Sequence, residues 1–239
     1  MEQARGGTMV RAPAWAGLCE VCRQWQGARL CTECTDRFMQ PTPRCARCGL
    51  RTGLTVDCCG ECLRDLPPFL ATHCALDYGF PWDGVIARFK FQGQVELADA
   101  LAMLMLRQPP PLPESTVLIP MPLAPERLAD RGYNQAWELV RRLAAALGLA
   151  ARPDLLQRVL ETRSQAELGR SARQQNLRAA FMVDPAHRHG LQGRHVTLVD
   201  DVMTTGASAR EAAACLLRAG ASRVDVWVLA RTPAPPHGH

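Results

Sequence analysis

An apolar run that ends in two acids, two threonines and a glycine carries the clearest chemistry in this sequence. Asp200 and Asp201 follow the apolar residues, and their carboxylates can accept hydrogen bonds from vicinal sugar hydroxyls or hold Mg²⁺ through water. Thr204, Thr205 and Gly206 then offer hydroxyls and open backbone N–H groups to a phosphate, at the positive end of a predicted helix. The pattern predicts a site for a ribose 5-phosphate. A plain strand–turn–helix with solvated acids is the alternative.

Local signals mark both ends of the helix that follows this loop. Ser208 and Glu211 have the spacing of a capping box, which would begin the helix, and Gly220 would end it. The sequence has no glycine-rich loop of the Walker type, so a nucleoside triphosphate fits it less well than a phosphoribosyl group does.

The same stretch resembles the loop that binds phosphoribosyl pyrophosphate (PRPP) in type I phosphoribosyltransferases. The pattern of that loop is an apolar run, two acids, two further residues and then Thr-Thr-Gly, and the match here has no gap. The resemblance implies that Asp200 and Asp201 face the ribose hydroxyls of PRPP, with Mg²⁺ accompanying the ligand. It also implies a segment that wraps the 5-phosphate, made of Met203, Thr204, Thr205, Gly206, Ala207 and Ser208.

Cysteines are crowded into the amino-terminal part of the chain, where ten of the 11 fall between Cys19 and Cys74. Four C-x-x-C pairs supply enough thiolates for two closed Cys₄ zinc sites, and sequential sharing requires shorter loops than an interleaved arrangement. The first site would use Cys19, Cys22, Cys31 and Cys34, and the second Cys45, Cys48, Cys59 and Cys62. A redox role for the pairs is the alternative, but no pair follows a strand and opens a clear helix. A closed site has no open position for catalysis, so the zinc would be structural or used in recognition.

Composition and charge narrow the functional classes. The net charge of +5 is modest for 239 residues and by itself favours neither a nucleic-acid nor a membrane partner. The amino terminus has no apolar run long enough for a signal peptide or a membrane span, so we expect a protein of the reducing cytoplasm. Lys90 is the only lysine beside 27 arginines. It is either a chance remnant on a solvated helix face or a residue kept for its compact charge.

Alternating strands and helices predict an α/β fold with a parallel central sheet and ligands beyond the carboxyl ends of the strands. We expect two domains: a cysteine-rich zinc module over residues 1–66 and a Rossmann-like domain over residues 67–239. Strands are predicted at residues 73–80, 117–119 and 223–229 and in the apolar run before Asp200, and helices at residues 82–105 with a break near Gly93, 133–147 and 208–219. Residues 71–106 are expected to form the hood that sets acceptor specificity in phosphoribosyltransferases.

Three further segments have residues suited to chemistry with anions. Residues 119–122 leave a strand into a turn, and residues 126–135 follow with two arginines, an amide pair and a glycine. Residues 158–178 hold five arginines against two glutamates. That basic segment is either an ordinary amphipathic helix with solvated arginines or a mobile loop that closes over a pyrophosphate.

Taken together, the segments resemble the ComF/GntX group of phosphoribosyltransferase-like proteins of bacterial DNA uptake and DNA use, over nearly the whole chain. The resemblance is carried by the paired cysteines, by the Lys-Phe segment of residues 89–93, by the Arg-Gly-Tyr-Asn-Gln motif of residues 131–135 and by the spacing of residues 163–181. Cys58, an extra thiol beside Cys59, departs from the pattern. The resemblance implies Arg163 and Arg173 as catalytic residues with the two acids. It implies as pyrophosphate or substrate-side residues Lys90, Pro120, Met121, Arg131, Asn134, Gln135, Gln165 and Asn176.

Two functions of different classes follow. The first is an enzyme in which a nitrogen nucleophile displaces pyrophosphate from PRPP with the help of Mg²⁺. The second is a binding module that senses a phosphoribosyl ligand or single-stranded DNA while the zinc module contacts a competence or DNA-uptake partner. Aromatic residues make up only 5% of the chain, so stacking surfaces for bases are few.

Overall fold

The computed structural model describes residues 17–159 and 180–234, which form two compact units. One unit ends at Phe38 and the other begins at Met39. In the described part of the first unit, an antiparallel bridge joins Leu18 to Trp25, and helix α1 spans Thr32–Phe38. With so few apolar residues to bury, this unit depends on its cysteines for a core.

A five-stranded parallel sheet forms the centre of the second unit, with strand order β1-β7-β6-β2-β3. Its strands are β1 Thr72–Asp77, β2 Val117–Pro120, β3 Ala150–Ala151, β6 His195–Met203 and β7 Arg223–Arg231. A separate antiparallel pair consists of β4 Gln157–Arg158 and β5 Phe181–Met182. The helices are α2 Gly60–Arg64, α3 Trp82–Phe91, α4 Leu97–Leu106, α5 Pro125–Arg131, α6 Gln135–Leu147 and α7 Ala207–Arg218, with a 3₁₀ helix at Pro185–Leu191. The predicted parallel α/β architecture is confirmed.

The two central strands β6 and β7 are buried along nearly their whole length, which explains their continuous apolar runs. Val224, Val226 and Val228 of β7 share a cluster with Ala212 and Leu216 of α7, so the helix covers this face of the sheet. The small alanines of α7 allow the helix to approach the strands closely. This packing fixes the loop between β6 and α7, where the predicted phosphate site lies.

Helix α7 begins differently from the sequence prediction. Its N-cap is Gly206, which has a φ of +80° and makes no side-chain capping bond, so the predicted capping box of Ser208 and Glu211 is wrong. The left-handed turn at Gly206 already places Ser208 inside the first helical turn, too late to act as a cap. The predicted stop at Gly220 is observed, where the φ is +113° just after the helix.

The division between the compact units lies at residues 38 and 39, whereas the sequence places the domain boundary at residue 66. Residues 45–62 pack on the edge of the central sheet, because the Thr72 N–H donates to the Ala46 carbonyl at 2.9 Å and the Thr72 hydroxyl donates to the Arg47 carbonyl at 2.6 Å. Residues 71–106 were expected to form a hood. These residues supply edge strand β1 and helices α3 and α4.

Candidate functional site: a phosphate-type loop and two cysteine tetrads

Residues 203–208, the phosphate-type loop, lead from the end of β6 into α7 and line a cavity of about 60 Å³ at the carboxyl edge of the sheet. Its lining includes the whole predicted phosphate-binding segment, namely Met203, Thr204, Thr205, Gly206, Ala207 and Ser208, together with Asp200. A Cβ at Gly206 would lie 2.5 Å from the Met203 Cε, so an added side chain would require the flexible end of Met203 to move. The hydroxyls of Thr204 and Thr205 are exposed, and the helix begins at the next residues. This arrangement suits a small anion at the positive end of α7.

The two acids before this loop have different surroundings. Asp201 is 2% exposed, and its carboxylate lies 2.9 Å from the Lys90 Nζ at one oxygen and 3.1 Å at the other. The Asp201 Oδ1 also accepts the Val202 N–H at 2.8 Å. Asp200 accepts the Asp201 N–H at 2.8 Å. Burial, followed by repulsion from the neighbouring Asp201 carboxylate, raises the pKa of Asp200 well above its usual value, although Lys90 partly opposes the effect.

The predicted turn after β2 lies directly beside the acids. Pro120 pairs with Val199 in the sheet, and the Met121 N–H donates to the Val199 carbonyl at 2.8 Å. Pro120 and Met121 are buried, so they shape the wall of the site through their backbone. The parallel sheet therefore brings this turn and Asp200 to the same edge, as the sequence predicts.

The Arg-Gly-Tyr-Asn-Gln motif mainly positions other residues. The Tyr133 hydroxyl donates to the Phe89 carbonyl, one residue before Lys90. The Asn134 Oδ1 accepts the Ala136 N–H at 2.9 Å and caps α6, while its Nδ2 donates to the Met121 carbonyl at 3.1 Å. Asn134, predicted as a substrate-side residue, thus uses both ends of its amide within the protein.

A second cavity, of about 500 Å³, opens beside Lys90 and is rich in cationic side chains. Arg127, Arg131 and Asp130 of α5 line it together with Phe91. The Arg131 Cζ lies 5.2 Å from the centre of the Phe91 ring, and the Lys90 Nζ lies 6.0 Å from it. Phe91 is 69% exposed, so an aromatic face and several positive charges meet at this opening.

Two cysteine tetrads form with the partners that the sequence predicts. Within each, all four Sγ atoms lie within 4.8 Å of one another. The tetrads are Cys19, Cys22, Cys31 and Cys34 in the first unit, and Cys45, Cys48, Cys59 and Cys62 in the second. Each tetrad has the donor set and spacing that can bind a zinc ion.

The sulfur positions fit tetrahedral coordination closely. Zinc–sulfur bonds of about 2.3 Å separate two sulfurs of a tetrahedron by roughly 3.8 Å. The Cys22 and Cys31 sulfurs are 3.9 Å apart, and the Cys48 and Cys59 sulfurs are 3.6 Å apart. Backbone N–H groups point at the sulfurs as well, since the Cys59 N–H donates to the Cys45 Sγ at 3.2 Å. Such bonds stabilise thiolates, which are the ligand form of cysteine.

Within each tetrad the thiols compete for negative charge. Burial opposes ionisation of Cys45, but N–H donors from Cys48, Cys59 and Arg47 outweigh it and lower the Cys45 pKa to about 7. Burial raises the pKa of Cys48 to about 11 and raises that of Cys62. A cation at the centre would remove this competition, because it stabilises all four thiolates together.

Some predicted site residues lie outside the described residues, and one residue was missed. Arg163, Gln165, Arg173 and Asn176 fall at positions that the structure does not describe, as does most of the basic segment 158–178. Gln135, predicted on the substrate side, is buried at the start of α6. Sequence reasoning overlooked Arg231, the last residue of β7, which contacts both the second tetrad and the phosphate-type loop. The signal was an arginine that ends a strongly apolar strand.

Comparisons with known proteins identify relatives that cover most of this chain. No protein-family model matches the sequence. The DNA utilization protein YhgH of Salmonella typhi is 36% identical over 228 residues, which cover 90% of this chain and 97% of that protein. Competence protein F of Haemophilus influenzae is 33% identical, with 84% and 90% covered. The chain belongs to the family of YhgH and competence protein F.

Among solved structures, a glutamine PRPP amidotransferase from B. subtilis, in complex with ADP and GMP, is 21% identical. The match covers 56% of this chain and 26% of that one, with a TM-score of 0.39. A hypoxanthine phosphoribosyltransferase from Trypanosoma cruzi is 15% identical, covers 62% and 70% of the two chains and has a TM-score of 0.35.

In residues 17–159 and 180–234, no helix combines the length and the apolar character that a membrane span requires.

Proposed function

We propose that the chain binds PRPP at the carboxyl edge of its sheet, with the 5-phosphate in the loop of residues 203–208. The observation that carries this proposal is the left-handed turn at Gly206, which starts α7 directly behind two exposed threonines. A phosphate there would receive N–H groups and threonine hydroxyls at the positive end of a helix. The hydroxyls of the ribose would then lie towards Asp200 and Asp201.

In this proposal the two acids have separate roles. Asp201 is held by Lys90 at 2.9 Å and serves as the fixed wall of the ribose site. Asp200, whose pKa is raised by its burial and by the neighbouring Asp201 carboxylate, would be the carboxyl group that holds Mg²⁺ together with the ligand. Mg²⁺ prefers carboxylate and phosphate oxygens, so Asp200 together with PRPP offers a suitable ligand set.

We further propose that both tetrads bind Zn²⁺ and that the metal is structural. Each tetrad supplies four sulfurs, which fills a tetrahedral site and leaves no position for a substrate. The metals would then supply folding free energy to two stretches that have small apolar cores of their own.

As an enzyme, the protein would catalyse displacement of pyrophosphate from PRPP. The bond from ribose C1 to the pyrophosphate oxygen breaks, a bond from C1 to the acceptor nitrogen forms, and the acceptor loses a proton. The cationic cavity beside Lys90, lined by Arg127 and Arg131, would stabilise the negative charge that gathers on the leaving group.

Calorimetric titration tests the binding proposal, and pyrophosphate release tests the reaction. Titration of Mg²⁺-PRPP into the full chain should show one site, which Thr205→Val weakens. A panel of nucleobases and amines with PRPP should then identify an acceptor by steady-state pyrophosphate release. Binding without release for any acceptor would leave a PRPP sensor and remove the transferase proposal. Absence of PRPP binding would remove both.

A second candidate function is contact with single-stranded DNA, which the exposed Phe91 ring favours. Bases stack on aromatic faces, and Lys90, Arg127 and Arg131 around the ring supply positive charge for a backbone. The relatives named for DNA utilization and competence agree with such a partner. The zinc tetrad of the first unit would be free to contact a competence partner.

Fluorescence anisotropy with a labelled single strand tests this second function. The Phe91→Ala variant should weaken binding of the single strand, whereas the same change at the exposed Phe80, which does not line the cationic cavity, should have little effect. Equal affinity of the wild type for single- and double-stranded DNA, with no effect of Phe91→Ala, would exclude a stacking site.

A further inference from the structure

The side chain of Arg231 connects two parts of the second unit that are far apart in sequence. It is 3% exposed, at the end of the central strand β7. Its Nε donates to the Cys48 carbonyl at 3.0 Å, and its Nη1 donates to the Met203 carbonyl at 3.1 Å and to the Thr204 carbonyl. A single rigid guanidinium therefore contacts a residue of the second tetrad and the first two residues of the phosphate-type loop.

These contacts determine which way the loop's backbone N–H groups point. In a trans peptide the N–H lies opposite the carbonyl. Arg231 donates hydrogen bonds to the carbonyls of Met203 and Thr204, so the N–H groups of Thr204 and Thr205 face away from the guanidinium. Thr204 and Thr205 line the 60 Å³ cavity, so this orientation leaves their donors for an anion.

The guanidinium of Arg231 has no carboxylate partner in the part of the chain that the structure describes. Within residues 17–159 and 180–234 its hydrogen bonds end on carbonyl and hydroxyl oxygens, and it forms no ion pair with a carboxylate. A buried guanidinium without a counter-charge is costly. Four thiolates around one Zn²⁺ carry a net negative charge, which would supply the missing partner.

We propose that Arg231 is a positioning residue that couples zinc in the second tetrad to phosphate binding in the loop of residues 203–208. The inference rests on the proposed PRPP site. With zinc bound, the Cys48 carbonyl is fixed and holds the guanidinium, which in turn holds the loop carbonyls. Without zinc, the guanidinium loses its counter-charge and the loop N–H groups lose their fixed direction.

Reciprocity gives a test that does not depend on enzymatic activity. If zinc strengthens phosphate binding, bound phosphate must strengthen zinc binding by the same factor. The full chain carrying Cys31→Ser, which breaks the first tetrad, reports on the second tetrad alone. Saturating ribose 5-phosphate should protect its zinc, lowering by about tenfold the zinc dissociation constant that equilibrium competition with a chelating dye measures. Arg231→Met should abolish this protection, and Arg231→Lys, which keeps the charge but not the fork, should reduce it.

Arg188 provides a matched control for the loss of a guanidinium that holds carbonyls. Its Nε and Nη2 donate to the carbonyls of Ala219 and Arg218 at 3.1 and 2.9 Å, away from the second tetrad and the loop. Arg188→Met should keep the full protection. Equal protection in wild type and Arg231→Met, or a zinc dissociation constant that ribose 5-phosphate does not change, overturns the coupling while calorimetric PRPP binding still stands. Absence of PRPP binding to the wild type overturns the coupling together with the proposed function.

Discussion

Lys90 and Asp201 lie 111 positions apart in the sequence, yet the Lys90 Nζ is 2.9 Å from the Asp201 Oδ2. The pair joins the end of α3 to the strand that leads into the phosphate-type loop. Because Asp201 is almost fully buried, its charge requires this partner. The only lysine in the chain is therefore a partner of the acid pair, and the interpretation of Lys90 as a chance remnant is wrong.

Replacing the two acids one at a time should change stability in opposite directions. Asp201→Asn leaves the Lys90 ammonium without its carboxylate and should destabilise the fold by on the order of 1 to 3 kcal/mol. Asp200→Asn removes a carboxyl group that resists ionisation and should raise the melting temperature at neutral pH. Both variants should lose PRPP affinity. Thermal unfolding with calorimetry measures the two effects, and equal destabilisation by both variants would contradict the separate roles of the acids.

The stability gained by Asp200→Asn should depend on pH. Asp200 has a higher pKa in the folded chain than in the unfolded chain, so the folded chain binds more protons between these two pKa values. The stability of the wild type therefore falls as the pH rises from the unfolded pKa to the folded pKa. The asparagine does not titrate. The melting temperature of Asp200→Asn minus that of the wild type should therefore increase as the pH rises above about 4, through the pH range in which wild-type Asp200 titrates. A constant difference across this range would show that Asp200 has an ordinary pKa.

Sequence reasoning is strongest where the residues of a candidate site are neighbours in the chain. The phosphate-type loop is one continuous segment, and each tetrad is made of two short C-x-x-C turns whose spacing fixes the sulfurs. Contacts between segments that are distant in the sequence are harder to predict from local patterns. Neither the packing of Cys48 against Arg231 nor the burial of Asp201 against Lys90 leaves a local pattern, because both depend on the order of strands in the sheet.

The same reason explains the errors at element boundaries. A capping box at Ser208 is a valid local pattern, but the left-handed Gly206 starts α7 earlier. Likewise, the run of cysteines reads as one module in sequence, although residues 45–62 pack on the sheet edge beside Thr72. Tertiary packing decided both cases.

Removal of the Thr205 hydroxyl should weaken PRPP binding far more than it lowers stability. The side chain is exposed beside the cavity and accepts one long bond from the Ala207 N–H at 3.3 Å, whereas a lost hydrogen bond to a charged phosphate costs on the order of 1 to 3 kcal/mol. Thr205→Val should therefore reduce affinity in calorimetry by roughly five- to 150-fold with only a small fall in the melting temperature. Ser222→Ala is the control, since that hydroxyl donates to the Gly193 and Arg194 carbonyls away from the loop. An unchanged affinity in Thr205→Val would place the phosphate elsewhere.

Addition of one methyl group at Gly206 should damage the loop in two ways. The φ of +80° disfavours any L side chain, and the new Cβ would lie 2.5 Å from the Met203 Cε. Gly206→Ala should cost about 1 to 3 kcal/mol of stability and also lower PRPP affinity, because any Cβ is strained at this φ and the Met203 side chain must move. Gly53→Ala, at a position with open space and no positive φ, is the control in denaturant unfolding. If both variants unfold at the same midpoint and bind PRPP equally, the positive φ at Gly206 does not restrict that position to glycine.

Loss of zinc from the first tetrad and loss of zinc from the second tetrad should affect the second unit differently. Elemental analysis should give two Zn²⁺ per chain. Cys34→Ser disrupts a tetrad of the first unit and should leave the unfolding of the sheet unchanged. Cys62→Ser disrupts the tetrad whose loop binds Thr72 and Arg231, so it should lower the melting temperature of the sheet and expose its edge strand β1.

Hydrogen exchange measured by mass spectrometry distinguishes the two cysteine variants, because it reports on each strand separately. Strand β1, which pairs with β7 from Thr72 to Asp77, should exchange faster only in Cys62→Ser. A serine at either position removes one thiolate and so controls for the chemical change itself. Equal protection of β1 in both variants would mean that zinc in the second tetrad does not stabilise the sheet through Thr72 and Arg231.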